Sequence, residues 1–242
     1  MRGHGLTAAP KEIPELYLSD YTLNGQIPVR EYYFDQMYLS KSARTPVWEK
    51  DMVEDMISLA HKGELSGNYG TGETNHLRNG LLVANVVQNG RVLVIGSENP
   101  WVEATVLSVG AREVVTLEYG KIISHHPSIV TMTPGEFRDE YRTGTLGLFD
   151  AIVTFSSVEH SGLGRYGDAL NPWGDLLEIA RAHCVCKANG SLIIAVMTGS
   201  DALAFNAHRV YGDVRWPYLA SNWHQIHRES SGDQRVHVFV KK

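Results

Sequence analysis

Residues 91–96 read R-V-L-V-I-G and are followed at once by S-E-N-P-W-V-E at 97–103. The first five residues are typical of a buried β-strand, and Gly96 is placed to make the tight turn that leads into a helix. A dinucleotide-binding loop continues with further glycines, so that its backbone can approach a pyrophosphate. Here Glu98 stands in place of one of them. The stretch predicts a nucleotide-binding type of fold with an unusual loop.

After Gly90, short β-branched strands alternate with helices. The predicted strands are 91–96, 113–118, 128–132, 150–155 and 191–196, and the predicted helices are 101–109, 135–143 and 175–187. Asn99 is the expected cap of the first of these helices, with Pro100 at its first position. Such alternation predicts right-handed βαβ units and a parallel sheet covered on both faces. Residues 221–227 and 235–240 predict an antiparallel hairpin that closes the sheet.

The first 90 residues are predicted to form an N-terminal arm and helices packed on the core. We expect little regular structure in residues 1–46. Thr45 and Pro46 are the expected cap and first position of an amphipathic helix that runs to His61, and a second helix is expected to end near Asn89. Residues 91–242 are predicted to form a Rossmann-like cofactor-binding part, and the whole chain is expected to be one structural domain.

The composition and net charge of the chain argue against some classes of function. The chain has 242 residues, with 22 Lys and Arg against 27 Asp and Glu, and a net charge of -5. This balance does not favour a nucleic-acid partner. No apolar run reaches the roughly 20 residues that a membrane span requires. Cys184 and Cys186 are too close in sequence for an easy mutual disulfide, which favours a reduced, cytoplasmic compartment.

The loop after the first strand suggests the ligand. In open α/β sheets, ligands bind beyond the carboxyl ends of the strands, and Gly96 lies there. The carboxylate of Glu98 would repel a pyrophosphate but suits a cationic or zwitterionic nucleoside such as S-adenosylmethionine. Glu118 ends the second strand, where an acidic side chain can accept both ribose hydroxyls. Ser97 and Ser156 complete the predicted cofactor-binding set. Glu98 has an alternative as a solvated side chain near a helix N-terminus.

A second candidate segment follows the fourth strand. Residues 155–168 read F-S-S-V-E-H-S-G-L-G-R-Y-G-D, which places charges and flexible backbone where ligands dock. His160 is the candidate general base, with Glu159 or Asp168 to orient it, although the roles can be exchanged. Both residues also have a structural alternative. His160 can be a hydrogen-bonded structural histidine, and Glu159 can cap a helix or form an ion pair with Arg165.

Residues 206–215, N-A-H-R-V-Y-G-D-V-R, are expected to cover the acceptor. Together with Arg165, the residues His208, Arg209 and Tyr211 are the predicted substrate-binding residues, because such side chains bind carboxylates, phosphates or sugars. A surface helix with solvated charges is the alternative.

Two other enzyme classes are disfavoured. The adjacent His125 and His126 and the H-Q-I-H at 224–227 lack the spacing of a zinc site, so no metal is predicted. The stretch around Ser161 is not the G-x-S-x-G of a serine hydrolase.

Several of these motifs carry a resemblance to a known family. G-S-E-N-P-W-V-E, T-L-E-Y, the block at 155–168, N-P-W-G-D and N-A-H-R-V-Y-G together resemble the family known as domain of unknown function 268, over roughly residues 60–215. That family is considered similar to class I S-adenosylmethionine-dependent methyltransferases. The resemblance implies a class I methyltransferase-type α/β sheet and S-adenosylmethionine as cofactor. Gly96 and Glu118 match the methyltransferase pattern, whereas Glu98 and Pro100 depart from it.

The sequence as a whole predicts an enzyme that transfers a methyl group to a small polar acceptor, with a sugar hydroxyl preferred. The alternative is a non-catalytic Rossmann-like binding module with a degenerate cofactor site. A nucleotide-dependent oxidoreductase is disfavoured by Glu98.

Overall fold

The computed structural model describes residues 9–33, 45–229, 232 and 234–242. The strands are β1 Val29–Tyr32, β2 Val47–Trp48, β3 Arg91–Ile95, β4 Glu113–Leu117, β5 Ile123–Ser124, β6 Ile129–Met132, β7 Phe149–Phe155, β8 Cys186–Met197, β9 Ala202–Phe205, β10 His208–Val210, β11 Trp223–Glu229 and β12 Gln234–Lys241. The α-helices are α1 Glu15–Tyr21, α2 Lys50–Lys62, α3 Thr71–Val83, α4 Trp101–Ser108, α5 Pro134–Thr143, α6 Gly174–Val185 and α7 Trp216–Leu219. A 3₁₀ turn at Val158–His160 lies between β7 and α6.

The main sheet has seven strands in the order β11-β12-β8-β7-β3-β4-β6. Four neighbouring pairs in that row are parallel: β8–β7, β7–β3, β3–β4 and β4–β6. β12 runs antiparallel to both β8 and β11. The predicted α/β fold, mostly parallel with a C-terminal antiparallel hairpin, is therefore confirmed. The chain passes from β3 outward to β4 and β6 and then returns to β7 on the other side of β3. The strand order thus reverses between β3 and β7, where an open sheet of this kind binds its ligand.

Both faces of the sheet are buried, which explains the continuous apolar run in β3. Val92 and Val94 pack with the cluster that includes α2, α3 and α4, whereas Leu93 and Ile95 pack with the cluster on the opposite face that includes α6. These four side chains are at most 3% exposed. Alternate side chains of β3 thus pack against the helices on opposite faces of the sheet, as the two-residue period of a β-strand requires.

Two helix starts differ from the prediction. Thr45 and Pro46 do not begin a helix, because Val47–Trp48 forms β2 beside β5 and α2 starts only at Lys50. The indole of Trp48 is 2% exposed, so its burial takes precedence over local helix signals. Asn99 does not cap α4 with its side chain, and the residue before that helix is Pro100.

The expected irregular N-terminus contains regular structure where it is described. Besides α1, the strand β1 pairs in parallel with β9, and β9 pairs with β10 in a separate three-stranded sheet. Ile13 and Tyr21 pack with Leu163 and Phe205 beneath this sheet. Parts of the expected arm, residues 1–8 and 34–44, lie outside the described residues.

The two cysteines are both free, with Cys184 exposed and Cys186 buried. Among the described helices, none combines the length and the apolar character needed to cross a bilayer.

Candidate functional site

A cleft of about 1000 Å³ opens at the carboxyl ends of β3, β4 and β7. Gly96, Glu118 and Ser156, which follow these three strands, all line it, and so does His160. The reversal of strand order therefore brings together residues that are distant in sequence, as the sequence analysis predicted.

Gly96 cannot be replaced without movement. Its φ is +75°, in the left-handed region that favours glycine. A Cβ built on Gly96 would lie 1.9 Å from the Oγ and 2.5 Å from the Cβ of Ser157. The turn after β3 thus depends on glycine both for its conformation and for the close approach of the segment that follows β7.

Glu118 is joined directly to the loop after β3. Its Oε2 accepts a hydrogen bond from the Ser97 amide at 2.9 Å, and its Oε1 accepts one from the Tyr119 amide at 2.7 Å. Burial raises the pKa of Glu118, and the two amide groups partly offset this effect. The carboxylate and the loop therefore form one hydrogen-bonded unit at the cleft.

Glu98 lines the same cleft but is exposed to solvent. The hydrogen bond that holds this residue involves its main chain, because the Trp48 indole donates to its carbonyl at 3.2 Å. Glu98 is thus accessible at the cleft both to solvent and to a ligand bound there.

Glu103 is a buried acid that the sequence analysis missed. It is 0% exposed, and its carboxyl oxygens lie 3.0 Å from the Ser97 hydroxyl and 2.8 Å from the Thr116 hydroxyl. Burial raises its pKa to about 7. The signal was available, since Glu103 is the one charged residue in the otherwise apolar stretch W-V-E-A-T-V-L at 101–107.

Glu159 does not face the cleft, although it was predicted as a catalytic residue. It is 1% exposed and is not among the cleft-lining residues. Its Oε1 accepts a hydrogen bond from Ser156 Oγ at 2.8 Å, and Ser156 itself has a φ of +47°. Burial raises the pKa of Glu159 to about 7. The residue therefore supports the turn that contains Ser156, which does line the cleft.

His160 is oriented by a backbone carbonyl. Its Nδ1 lies 2.5 Å from the carbonyl oxygen of Ala207, which can only accept, so Nδ1 carries the proton and Nε2 is the basic nitrogen. Burial lowers the pKa of His160 to about 4. Neither Glu159 nor Asp168 makes the orienting hydrogen bond that was predicted for them.

Asp168 instead shapes the loop that follows His160. Its carboxylate accepts hydrogen bonds from the amides of Gly162 at 2.7 Å, Gly164 at 3.3 Å and Tyr166 at 3.3 Å. Asp168 lines the cleft, so this loop forms part of the wall.

Arg209 and Tyr211 are buried, at 2% and 1% exposure, and are absent from the cleft lining. Both converge on Asp175: the Tyr211 hydroxyl donates to it at 3.0 Å, and Arg209 Nε lies 3.7 Å from it. Arg215 completes the cluster with contacts of 2.6 and 2.8 Å to the same carboxylate. The structure therefore turns these two side chains inward, and neither lines the cleft where they were predicted to bind a substrate.

Arg165 and His208 are also outside the cleft lining. The guanidinium of Arg165 lies 5.0 Å from the ring centre of Tyr33 and 5.7 Å from that of Tyr166. The ring of His208, at the start of β10, lies 6.4 Å from that of His160. Neither residue lines the cleft, although Arg165 lies beside Tyr166 and His208 beside His160, both of which do.

Further polar groups in the cleft come from α6. Glu178 accepts a hydrogen bond from the Ser161 hydroxyl, and burial raises its pKa. Arg181, one turn later, also lines the cleft. The sequence pattern gave no reason to choose these residues over other charged positions of an amphipathic helix.

The fold of this chain is similar to the solved structures of several methyltransferases. The 1,6-didemethyltoxoflavin-N1-methyltransferase of Burkholderia thailandensis, with bound 1,6-didemethyltoxoflavin and S-adenosylhomocysteine, is 14% identical, with a TM-score of 0.47 over 79% of this chain and 87% of its own. The N-methyltransferase NodS of Bradyrhizobium japonicum, with S-adenosylhomocysteine, is 12% identical, with a TM-score of 0.48 over 79% of this chain and 97% of its own. The ribosomal protein L11 methylase of Lactobacillus delbrueckii subsp. bulgaricus is 14% identical, with a TM-score of 0.48 over 73% and 81%.

No curated protein matches the chain in sequence. A family model does match it, over residues 89–240, which is more than half of the chain. This range includes all seven strands of the main sheet except the last residue of β12, and the cleft-lining segments after β3, β4 and β7. The chain therefore belongs to the family described as Caenorhabditis protein of unknown function, DUF268.

Proposed function

We propose that this protein is an S-adenosylmethionine-dependent methyltransferase that acts on a small polar acceptor. The observation that carries the proposal is the unit formed by Gly96, Ser97 and Glu118 at the reversal of strand order. A nucleoside site in this type of fold requires a glycine turn after β3 and a carboxylate at the end of β4, and the carboxylate binds the ribose.

The residues of the cleft fit this cofactor. The left-handed Gly96, whose missing side chain leaves room for Ser157, fixes the turn that brings residues 97 and 98 to the cleft. Glu118 offers carboxylate oxygens to ribose hydroxyls, and Ser97, Ser156 and the exposed Glu98 provide polar groups around it. When bound, S-adenosylmethionine supplies an electrophilic methyl group on a positively charged sulfur.

His160 is the residue that we propose as the proton acceptor. Because Nδ1–H is held by the carbonyl of Ala207, Nε2 is the nitrogen with a free lone pair. The lowered pKa keeps the ring neutral at physiological pH, so Nε2 accepts a hydrogen bond from an acceptor hydroxyl. The same effect makes Nε2 a weaker base than an exposed histidine, so it takes the proton only as methylation makes the hydroxyl strongly acidic. The chain's part in the reaction is thus orientation and proton removal.

The acceptor that we favour is a sugar hydroxyl. Besides the residues around Gly96, the cleft lining includes charged and hydroxyl groups on Asp168, Glu178, Arg181 and Tyr166. Alternating donors and acceptors of this kind suit a polyol. Arg209 and Tyr211 have no part in this proposal, because both are buried.

The test is titration calorimetry with S-adenosylmethionine and S-adenosylhomocysteine, with NAD as the control ligand. We expect micromolar binding of both adenosyl ligands and at least a tenfold weaker affinity in Glu118→Ala, since hydrogen bonds to a charged group each contribute about 1.5–3 kcal/mol. The matched control is Glu113→Ala, at the opposite end of the same strand, which should bind normally. A folded parent protein that binds neither adenosyl ligand would refute the proposal and favour a binding module that lacks this cofactor.

A further inference from the structure

The buried carboxyl group of Glu103 has no role in the function proposed above. Its two oxygens have separate neighbours: Oε1 lies 2.8 Å from Thr116 Oγ1, and Oε2 lies 3.0 Å from Ser97 Oγ. Ser97 Oγ also lies 2.9 Å from the carbonyl oxygen of Asn99. Ser97 is only 6% exposed, so the two contacts of its hydroxyl are largely shielded from water.

The number of protons decides how these contacts are made. A serine hydroxyl has one proton, and the carbonyl of Asn99 can only accept it. If Ser97 donates to Asn99, the contact with Glu103 Oε2 is a hydrogen bond only when Glu103 itself carries a proton. Thr116 then donates to Oε1, Oε2–H donates to Ser97, and Ser97 donates to Asn99, so that every group has a partner. An ionised Glu103 would instead compete with Asn99 for one proton.

The surroundings of Glu103 favour the neutral form. Burial has the largest effect on it and disfavours the charge. The hydrogen bonds from its own backbone amide, from Thr116 and from Ser97 favour the charged form, but they do not offset the effect of burial. The charged group that acts on it is Glu118, at the end of the adjacent strand β4, and its charge has the same sign. Together these effects raise the pKa of Glu103 to about 7.

We propose that Glu103 is held as a neutral carboxylic acid, and that its proton positions Ser97 so that the Ser97 amide is presented to Glu118. The ligand-binding consequence rests on the proposed function, because Glu118 is the residue assigned to the ribose. Loss of the proton draws the Ser97 hydroxyl away from Asn99 and loosens the loop at residues 97–99. Glu103 is thus a positioning residue, and it makes cofactor binding dependent on pH.

The first test measures the dissociation constant of S-adenosylhomocysteine at pH 6 and at pH 8. In the parent, we expect binding to weaken about fivefold over this range, the size expected for one hydrogen bond. Glu103→Gln should abolish this weakening, because its amide group donates to Ser97 and accepts from Thr116 at every pH. Glu103→Leu, which cannot donate, should bind about fivefold more weakly at pH 6, with rescue in the Gln variant.

Titration of Glu118 affects binding in the opposite direction, because its carboxylate is needed and ionises as pH rises. Titration of the ligand itself is the same in parent and variant and cancels in the ratio of their constants. A Glu103→Gln variant with the same pH dependence as the parent would overturn the proposal.

The second test needs no ligand. Carboxyl ¹³C resonances of glutamate-labelled protein are recorded from pH 5 to 9, and the signal lost in Glu103→Gln identifies Glu103. We expect this carboxyl to be protonated at pH 6 and the Ser97 amide resonance to follow the same titration. An ionised Glu103 at pH 6 contradicts the proposal whether or not the protein binds an adenosyl ligand. Absence of ligand binding with a protonated Glu103 refutes the proposed function alone.

Discussion

At the scale of single residues, Gly96 is the position where local geometry and the cleft are most tightly linked. Gly96→Ala forces a left-handed φ on a residue with a side chain, which costs about 1–2 kcal/mol, and also drives a methyl group against Ser157. Because the Ser157 Cβ lies 2.5 Å from the added carbon, rotation of its hydroxyl cannot relieve the clash. We expect the free energy of unfolding to fall by more than about 2 kcal/mol, measured by urea denaturation.

Gly25→Ala is the matched control for this substitution. Gly25 has a similar φ of +81°, but no atom lies within 4 Å of an added Cβ. It should therefore show the conformational cost alone. Equal losses of unfolding free energy in Gly96→Ala and Gly25→Ala would mean that the contact with Ser157 contributes nothing.

Residues whose position follows from the end of a strand could be predicted from the sequence. Gly96 and Glu118 end neighbouring parallel strands, so the strand pattern alone placed both at one edge of the sheet. Glu159 and Arg209 could not be placed in this way, because the direction of a side chain in an irregular segment depends on tertiary packing. Their charge suggested exposure, whereas Arg209 lies beside the buried Asp175 and Glu159 accepts a hydrogen bond from Ser156, and both side chains are buried.

At the scale of secondary-structure elements, Asp175 connects α6 to the segment that contains β10 and leads into α7. Arg209, Tyr211 and Arg215 all contact its carboxylate, which is 0% exposed. Arg209 also donates to the carbonyl of Ser161 at 2.8 Å, beside the cleft. Burial alone would raise the pKa of Asp175, but the charges of the two arginines hold it below its ordinary value. The carboxylate is therefore ionised and organises three elements around it.

Asp175→Ala should be strongly destabilising. It leaves two buried guanidinium groups without their counter-charge, and breaking one partner of a buried ion pair costs about 3–5 kcal/mol. Urea denaturation measures this loss. Asp139→Ala is the control, because Asp139 and its partner Arg138 are both 65% exposed on α5 and such a pair contributes at most about 1 kcal/mol. Similar losses at the two positions would show that the Asp175 cluster is not a stabilising centre.

The order of the long elements was predictable, but the small sheet was not. The five parallel strands and the helices α4 and α6 carry apolar patterns that the local sequence determines. β10 lies in the segment 206–215, which was expected to cover the acceptor, and β9 was not predicted. Both are strands because they pair with each other and because β9 pairs with β1, whose sequence position is far away. In the same way, β2 replaces the expected start of a helix through its pairing with β5.

At the scale of the whole molecule, buried titratable groups give opposing pH effects on stability. Burial lowers the pKa of His160 and His237 to about 4, so their stabilising contribution is present above pH 6.5 and is lost as pH falls toward 4. Burial raises the pKa of Glu103 and Glu159 to about 7, so their contribution is complete below about pH 4.5 and is lost as pH rises through 7. Between these limits the two pairs of groups have opposite slopes and largely cancel.

Glu159→Gln separates these opposing effects. The variant removes one of the groups that favour folding at low pH, and its amide group is neutral throughout. Relative to the parent, the variant should therefore become more stable as pH rises from 5 to 6.5, with a slope that approaches 1.4 kcal/mol per pH unit. Urea denaturation at several pH values measures this difference. Glu136→Gln, at a carboxyl group whose pKa is lowered, should show no such slope between pH 5 and 6.5, because Glu136 is ionised there in both the folded and the unfolded protein. A difference between Glu159→Gln and parent that does not change with pH would mean that Glu159 is ionised in the folded protein, and that the turn holding Ser156 carries a buried negative charge.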